Sequence, residues 1–255
     1  MPPRSVTSGQ RQRDKVVVFM PAYFAAGSLR RVCEKIPAGY VDDIIVVDDH
    51  SEDGIEAVAA SLGLRFFSNA RNLGYGGNVK VCFQRALEIG ADILIELHPD
   101  DQYDPAVIPS ALDKLHEGCD LVLGSRFPTA GAALRHAMPV WKYAINRLST
   151  LPARVMLGLP LSDFHNGFRV YRRPMLEQLA WQQNADDYLF SFQIIAQARY
   201  AGFRIGEVPV VCRYFPGATQ ITFRKAMTYG VGALRTLGAY RRSKPGRIDP
   251  MFRRL

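Results

Sequence analysis

Short aliphatic runs, each ending abruptly in polar residues and each followed by a stretch of helical character, constrain this chain more than any other feature. Val16-Val17-Val18-Phe19-Met20 is closed by Pro21, and Ile44-Ile45-Val46-Val47 ends in Asp48-Asp49. Ile93-Leu94-Ile95-Glu96-Leu97 runs into His98-Pro99-Asp100-Asp101-Gln102, and Asp120-Leu121-Val122-Leu123 into Gly124-Ser125-Arg126. Runs of this kind, without polar alternation, read as strands buried on both faces. Residues 28–36 (with Ser28 as N-cap), 54–62 and 105–117 read as helices, and 64–67 as a further strand. Gly74-Tyr75-Gly76-Gly77 reads as a flexible connection into a helix over 78–89. The repeated strand-helix order predicts an α/β fold: a Rossmann-like, mainly parallel sheet flanked by helices.

Further on, 141–157 and 188–201 read as helices, 166–171 as a loop entering a strand, and 205–212 as a last strand. No internal repeat or linker divides the chain, so one domain over 15–223 is expected. Residues 1–14 are polar and basic with no apolar stretch, which predicts a disordered tail and not a secretory signal. Residues 224–255 carry Arg224, Lys225, Arg235, Arg241, Arg242, Lys244 and Arg247, with Asp249 the only acid and Met227, Val231 and Leu234 between. This predicts a basic amphipathic helix and a loose tail. No stretch is apolar enough to span a bilayer. Cys33, Cys82, Cys119 and Cys212 form no CxxC pair, which fits free thiols in a reducing cytoplasm. The formal net charge of +8 favours anionic partners without choosing among them.

In an open parallel sheet, ligands gather at the carboxyl ends of the strands, and here those ends carry the polar residues. Asp48 and Asp49 can accept hydrogen bonds from a ribose hydroxyl or a base N–H; the alternative is a tight turn aided by Ser51 and Asp53. His98, Asp100, Asp101 and Gln102 are the metal candidates, and oxygen-rich donors suit Mg²⁺ or Mn²⁺. Arg126 offers a planar fork for a phosphate. Arg71, Asn72 and the glycines at 74, 76 and 77 suit a loop close to a donor sugar. No Gly-Lys-Ser/Thr follows them, and they do not follow the first strand, so they form neither a Walker loop nor a dinucleotide fingerprint.

These segments, with residues 163–171, occur in the order found in family 2 glycosyltransferases. The chain most resembles the dolichol- or polyprenyl-phosphate mannosyltransferase-like branch without its transmembrane extensions. Asp48-Asp49-His50-Ser51-Glu52-Asp53-Gly54 resembles the family's Asp-Asp-Gly-Ser-Thr-Asp-Gly turn, and Gly167-Phe168-Arg169 its Gly-Phe-Arg signature. The resemblance implies a GT-A fold, a GDP- or UDP-sugar donor and inversion at the anomeric carbon. Pro21, Ala22, Tyr23, Asp48, Asp49, Asn72, Gly76, Pro99 and Asp100 would surround the donor. Asp100 would match the last carboxylate of the Asp-x-Asp metal motif, and Gln102 a further ligand. Arg126 and Arg213 match positions facing phosphates. The chain departs from the family at Phe24-Ala25, where Asn-Glu is usual, and at His98, where the first Asp of Asp-x-Asp stands. His50 replaces a turn glycine, and Thr219-Gln220 a Ser-Lys.

The expected mechanism is direct displacement, with the leaving diphosphate balanced by the metal and Arg213, and with Asp163 as base for a hydroxyl acceptor. Asp186 and Asp187 read instead as helix N-terminal residues. A lipid phosphate acceptor is already ionised and needs no base. The basic segment 224–255 favours peripheral contact with anionic lipid at the inner face of a membrane; a solvated face or a homo-oligomer contact is the alternative. Nucleic acid is not an expected partner, because no reading motif accompanies the charge. The rival readings are a sugar nucleotidyltransferase, which would need a cationic glycine-rich loop after the first strand, and a catalytically silent nucleotide-sugar-binding module.

Overall fold

A computed structural model describes residues 13–129, 131–136, 138–214, 223–243 and 248–254. Most of the expected tail, residues 1–12, and the Thr219-Gln220 pair lie outside them. Among the described residues one seven-stranded sheet has the order β3-β2-β1-β4-β6-β5-β7. Its strands are β1 Val16–Ala22, β2 Asp43–Asp48, β3 Arg65–Ser68, β4 Ile93–Glu96, β5 Leu121–Ser125, β6 Arg169–Arg172 and β7 Ile205–Pro209. Only β6 runs antiparallel to its neighbours, β4 and β5. The helices are α1 Ala26–Glu34, α2 Ile55–Ser61, α3 Gly74–Glu88, α4 Ile108–His116, α5 Ala132–Arg135, α6 Val140–Leu157, α7 Arg173–Gln178, α8 Phe190–Tyr200 and α9 Phe223–Arg242.

The sheet divides the core in two with strict alternation. Val17, Phe19, Ile45, Val47 and Leu94 face α3 and α8, while Val16, Val18, Met20, Val46 and Ile95 face α1, α2 and α4. β1, β2 and β4 are covered on both sides, which is why their runs are apolar almost throughout.

Three local expectations are corrected. Ser28 does not cap α1: Ala25 holds the cap position, and the Ser28 hydroxyl donates to its carbonyl. The capping acceptor comes from the next turn, where Asp53 Oδ2 takes the Ala26 N–H at 2.8 Å. The glycines at 74, 76 and 77 are not a flexible connection but the first turn of α3. The Gly76 and Gly77 N–H groups donate to the Asp186 carbonyl at 2.7 and 3.2 Å, and a Cβ on Gly76 would stand 2.4 Å from the Ala185 oxygen. The helix expected after 223 is present as α9, and the described residues 248–254 beyond it pack on the body in place of the expected loose tail. Leu237 is buried in the core, Phe252 packs on Tyr200 and Tyr240, and Gln197 Nε2 donates to the Met251 carbonyl at 2.8 Å.

Candidate active site

Strand order reverses between β1 and β4, the place where an open α/β sheet forms a crevice. A cavity of about 850 Å³ opens there. Pro21, Ala22 and Tyr23 reach it from the end of β1, Asp49 from the end of β2, and His98, Pro99 and Asp100 from the end of β4. Asn72 and Gly74 form one side, Asp187 and Tyr188 another, and Lys225, Thr228 and Tyr229 of α9 a third. Phe24, His50 and Asp101, each just past the end of one of these strands, hold φ values of 52°, 62° and 60°. Side chains with a Cβ rarely adopt that region, and each instance costs on the order of 1 kcal/mol.

Asp48 and Gly76 line neither this cavity nor the smaller one beside it. The Asp48 carboxylate takes the Ser51 N–H at 2.9 Å and the Ser51 hydroxyl, so the chain forms the tight turn. Gly76 is where α3 meets the 185–187 backbone, and no room remains there for a sugar. Asp49 fastens the start of α3 through the Leu73 and Gly74 N–H groups at 2.8 and 3.0 Å.

The metal candidates separate. Asp101 turns away to Lys35, 2.5 Å from its Nζ. The His98 ring stacks on Tyr75 at 5.6 Å, and Tyr75 stacks on Tyr188 at 5.1 Å. His98 Nε2 lies 3.6 Å from Oε1 of Glu96, a fully buried carboxylate that also accepts from the Tyr75 and Tyr171 hydroxyls at 2.5 and 2.6 Å. Burial opposes charge on His98, yet Glu96 and Asp100 carry its pKa above the ordinary value. His98 lines both cavities beside Asp100 and faces the buried Glu96 on its other side. Among the described residues no three His, Cys, Asp or Glu side chains gather as a metal set. Asp100 remains on the cavity wall, its Oδ1 accepting the Gln102 N–H at 3.2 Å. One carboxylate beside a glutamine fits an ion that arrives with a diphosphate and keeps water, as Mg²⁺ does, and does not fit a site made by protein alone.

A second cavity, about 270 Å³, shares Tyr75, His98, Asp100, Tyr188 and Tyr229 with the first. Trp141, Ile145 and Tyr214 give it an apolar lining, and Arg126 and Lys142 give it charge. Arg126 does not present an unengaged fork. Its Nε and Nη2 hold the two oxygens of Asp163 at 2.7 and 3.0 Å, and Nη1 donates to the Tyr214 hydroxyl at 3.1 Å. Asp163 is 0% exposed; burial opposes its charge, but Arg126 keeps its pKa below the carboxylate range. A carboxylate so held cannot collect a proton from an acceptor, which corrects its assignment as base. Lys142 lies 5.8 Å above the Tyr214 ring, its pKa lowered by burial and then by Arg126. Arg213 reaches neither cavity and pairs with Asp104 at 3.0 Å on the surface.

Sequence reasoning missed Tyr75, Tyr188, Tyr229 and Lys142 as site residues. Their only linear signal is position, Tyr75 among glycines and Lys142 at the start of a helix without acids. It also missed a hydrogen-bonded row from Ser149 on α6 through His165 to Tyr229 on α9, with contacts of 2.8 and 2.7 Å.

Known proteins resemble this chain in sequence and in fold. The chain is 27% identical over 214 residues to the polyprenol monophosphomannose synthase of Mycolicibacterium smegmatis, covering 78% of each protein. It is 29% identical to the undecaprenyl-phosphate mannosyltransferase of Micrococcus luteus, covering 77% of this chain and 82% of that one. It is 28% identical to the dolichyl-phosphate hexose transferase of Haloferax volcanii, covering 82% and 87%. Among solved structures, the glucosyl-3-phosphoglycerate synthase of Mycobacterium tuberculosis with Mn²⁺, UDP and phosphoglyceric acid superposes with a TM-score of 0.66 at 18% identity, over 89% of this chain and 78% of that one. That likeness identifies the GT-A fold. The sequence profile of Glycosyl transferase family 2 matches residues 17–180, and with the strand-end site in place the chain belongs to that family, as a glycosyltransferase.

Proposed function

We propose that this glycosyltransferase moves a hexosyl group from a GDP- or UDP-sugar in the larger cavity to a polyprenyl phosphate whose headgroup enters the smaller one. The observation that carries this reading is the shared wall. Asp100, Tyr75 and Tyr188 border both cavities, so a diphosphate on one side and an acceptor on the other meet across them. The names of the three relatives, which speak of polyprenol monophosphomannose, undecaprenyl phosphate and dolichyl phosphate, support the acceptor class.

In this reading Pro21 to Tyr23 and Asp49 border the nucleotide, and Asp100 with Gln102 would hold a Mg²⁺ or Mn²⁺ ion. When bound, such an ion offsets the negative charge of the diphosphate. The solved structures of the M. tuberculosis enzyme with Mn²⁺ or Mg²⁺ and UDP support a divalent ion. Lys142 and Arg126, on the wall of the smaller cavity, supply positive charge to the anionic acceptor head there. The acceptor oxygen attacks the anomeric carbon, the bond to the nucleoside diphosphate breaks, and the configuration inverts. An ionised phosphate needs no base, in keeping with an Asp163 held by Arg126. Such an acceptor sits in a lipid surface, so the chain works in peripheral contact with an anionic membrane.

The test is a thermal-shift panel of nucleotide sugars with and without Mn²⁺, followed by transfer to a short polyprenyl phosphate. One donor should raise Tm in an Mn²⁺-dependent way, through preferential binding to the folded state. No shift with any donor would remove the reading.

A further inference from the structure

The helices α6 and α9 touch each other, and each carries an exposed apolar stripe that the core does not use. On α6, Leu148, Leu151 and Val155 are 72, 62 and 66% exposed; on α9, Met227, Val231 and Leu234 are 56, 47 and 59% exposed. The α9 residues recur at i, i+4 and i+7 and so make one stripe. The two helices contain no Asp or Glu, and exposed Arg147, Arg154, Arg235 and Arg241 accompany the stripes. A second copy would bring these cations against its own, whereas anionic lipid offers complementary charge and an apolar interior to one surface. No helix among the described residues is long and apolar enough to cross a membrane, so the contact lies in the plane of the bilayer.

The opposite face of α9 serves the active site. Lys225, Thr228 and Tyr229 wall the larger cavity, Ala226, Tyr229 and Gly230 the smaller. Gly232 packs so closely on Leu189 that a Cβ would stand 2.6 Å from its side chain, and Tyr229 is bonded to His165. One rigid element therefore carries a lipid-facing stripe on one side and donor contacts on the other.

We propose that docking of the α6/α9 face on an anionic bilayer and binding of the nucleotide-sugar donor are coupled through α9, so that the membrane surface tightens the donor site. This rests on the functional reading above and adds regulation to it. Because one helix carries both faces, a shift of α9 at one surface is a shift at the other, and the coupling is reciprocal.

The test uses the full chain with vesicles of phosphatidylglycerol or phosphatidylcholine, and with UDP-glucose and GDP-mannose as probes. The protein should sediment with phosphatidylglycerol vesicles and not with phosphatidylcholine. Those vesicles should lower the donor Kd by about fivefold or more. The double variant Leu148→Glu/Leu234→Glu, changed at two exposed sites outside both cavities, should keep its Tm and vesicle-free donor Kd and lose both vesicle effects. Equal sedimentation of the variant, or a donor Kd indifferent to vesicles, would overturn the coupling. A dimer lost in the variant, with no vesicle binding by the wild type, would assign the face to a second copy and overturn it too. No donor binding in any condition would instead remove the transferase reading and the coupling with it, leaving the sedimentation result standing.

Discussion

Arg126 and Asp163, 37 residues apart, meet in a buried two-point pair, Nε to Oδ2 at 2.7 Å and Nη2 to Oδ1 at 3.0 Å. The pair joins the end of β5 to the loop before β6, and its Arg126 lines the smaller cavity. Removing one partner leaves a desolvated charge behind, which costs about 3–5 kcal/mol. Asp163→Asn is therefore expected to lower the urea midpoint strongly. A variant with wild-type stability and no activity would restore Asp163 as a base.

Asp100 makes the opposite case. It lies partly open to both cavities, and its Oδ1 takes one backbone N–H, from Gln102. Asp100→Ala is expected to change stability by no more than about 0.5 kcal/mol, as substitutions outside packed or charged-pair sites do. Transfer, and the Mn²⁺-dependent part of the donor thermal shift, should be lost. Full activity in this variant would remove the metal role.

Two glycines at helix starts separate close approach from mere flexibility. Gly76→Ala would drive a methyl group to 2.4 Å from the Ala185 oxygen and should destabilise by about 1–3 kcal/mol, lowering Tm. Gly27→Ala, in α1 with nothing within 4 Å, should raise Tm through the better helix propensity of alanine, by about 0.5–1 kcal/mol. Equal effects at the two sites would contradict the packing of α3 on the 185–187 backbone.

His165 gives the fold a pH dependence of known sign. Burial presses its pKa down to about 4, below the usual 6.5. Between those values the unfolded chain binds a proton that the native chain refuses, so stability falls as pH drops from about 6.5 toward 4. The loss is of the order of 1–3 kcal/mol. Urea unfolding at pH 7 and pH 5 should show it, and His165→Gln should show a smaller difference. An equal drop in the variant would place the titration elsewhere.

The central strands could be read from the linear pattern because strands covered on both faces demand unbroken apolar runs, and Val16 to Met20 or Ile44 to Val47 fit no other element so well; the place of β6, antiparallel between β4 and β5, left no such mark. Strand ends were equally readable, and Tyr23, Asp49, Asn72 and Asp100 do border the larger cavity. What escaped depends on partners distant in sequence. The glycines of α3 read as flexible until the 185–187 backbone is brought against them. Arg126 reads as a phosphate fork until Asp163 fills it. The carboxylate that faces His98, Glu96, lies within an apolar strand where the pattern hides it. Tyr229 stands in a segment that reads as an appendage, although it borders both cavities.

The contribution of α9 to both cavities also bears on how the molecule comes into being. Ribosomal synthesis is vectorial and domains tend to gain structure as they emerge. The whole sheet precedes α9 in the chain, so it can assemble first, with each cavity still missing the wall that Lys225 and Tyr229 supply. A nascent polypeptide stalled after β7 would carry all seven strands but neither Lys225 nor Tyr229, so the sheet can form before the donor site has its full wall.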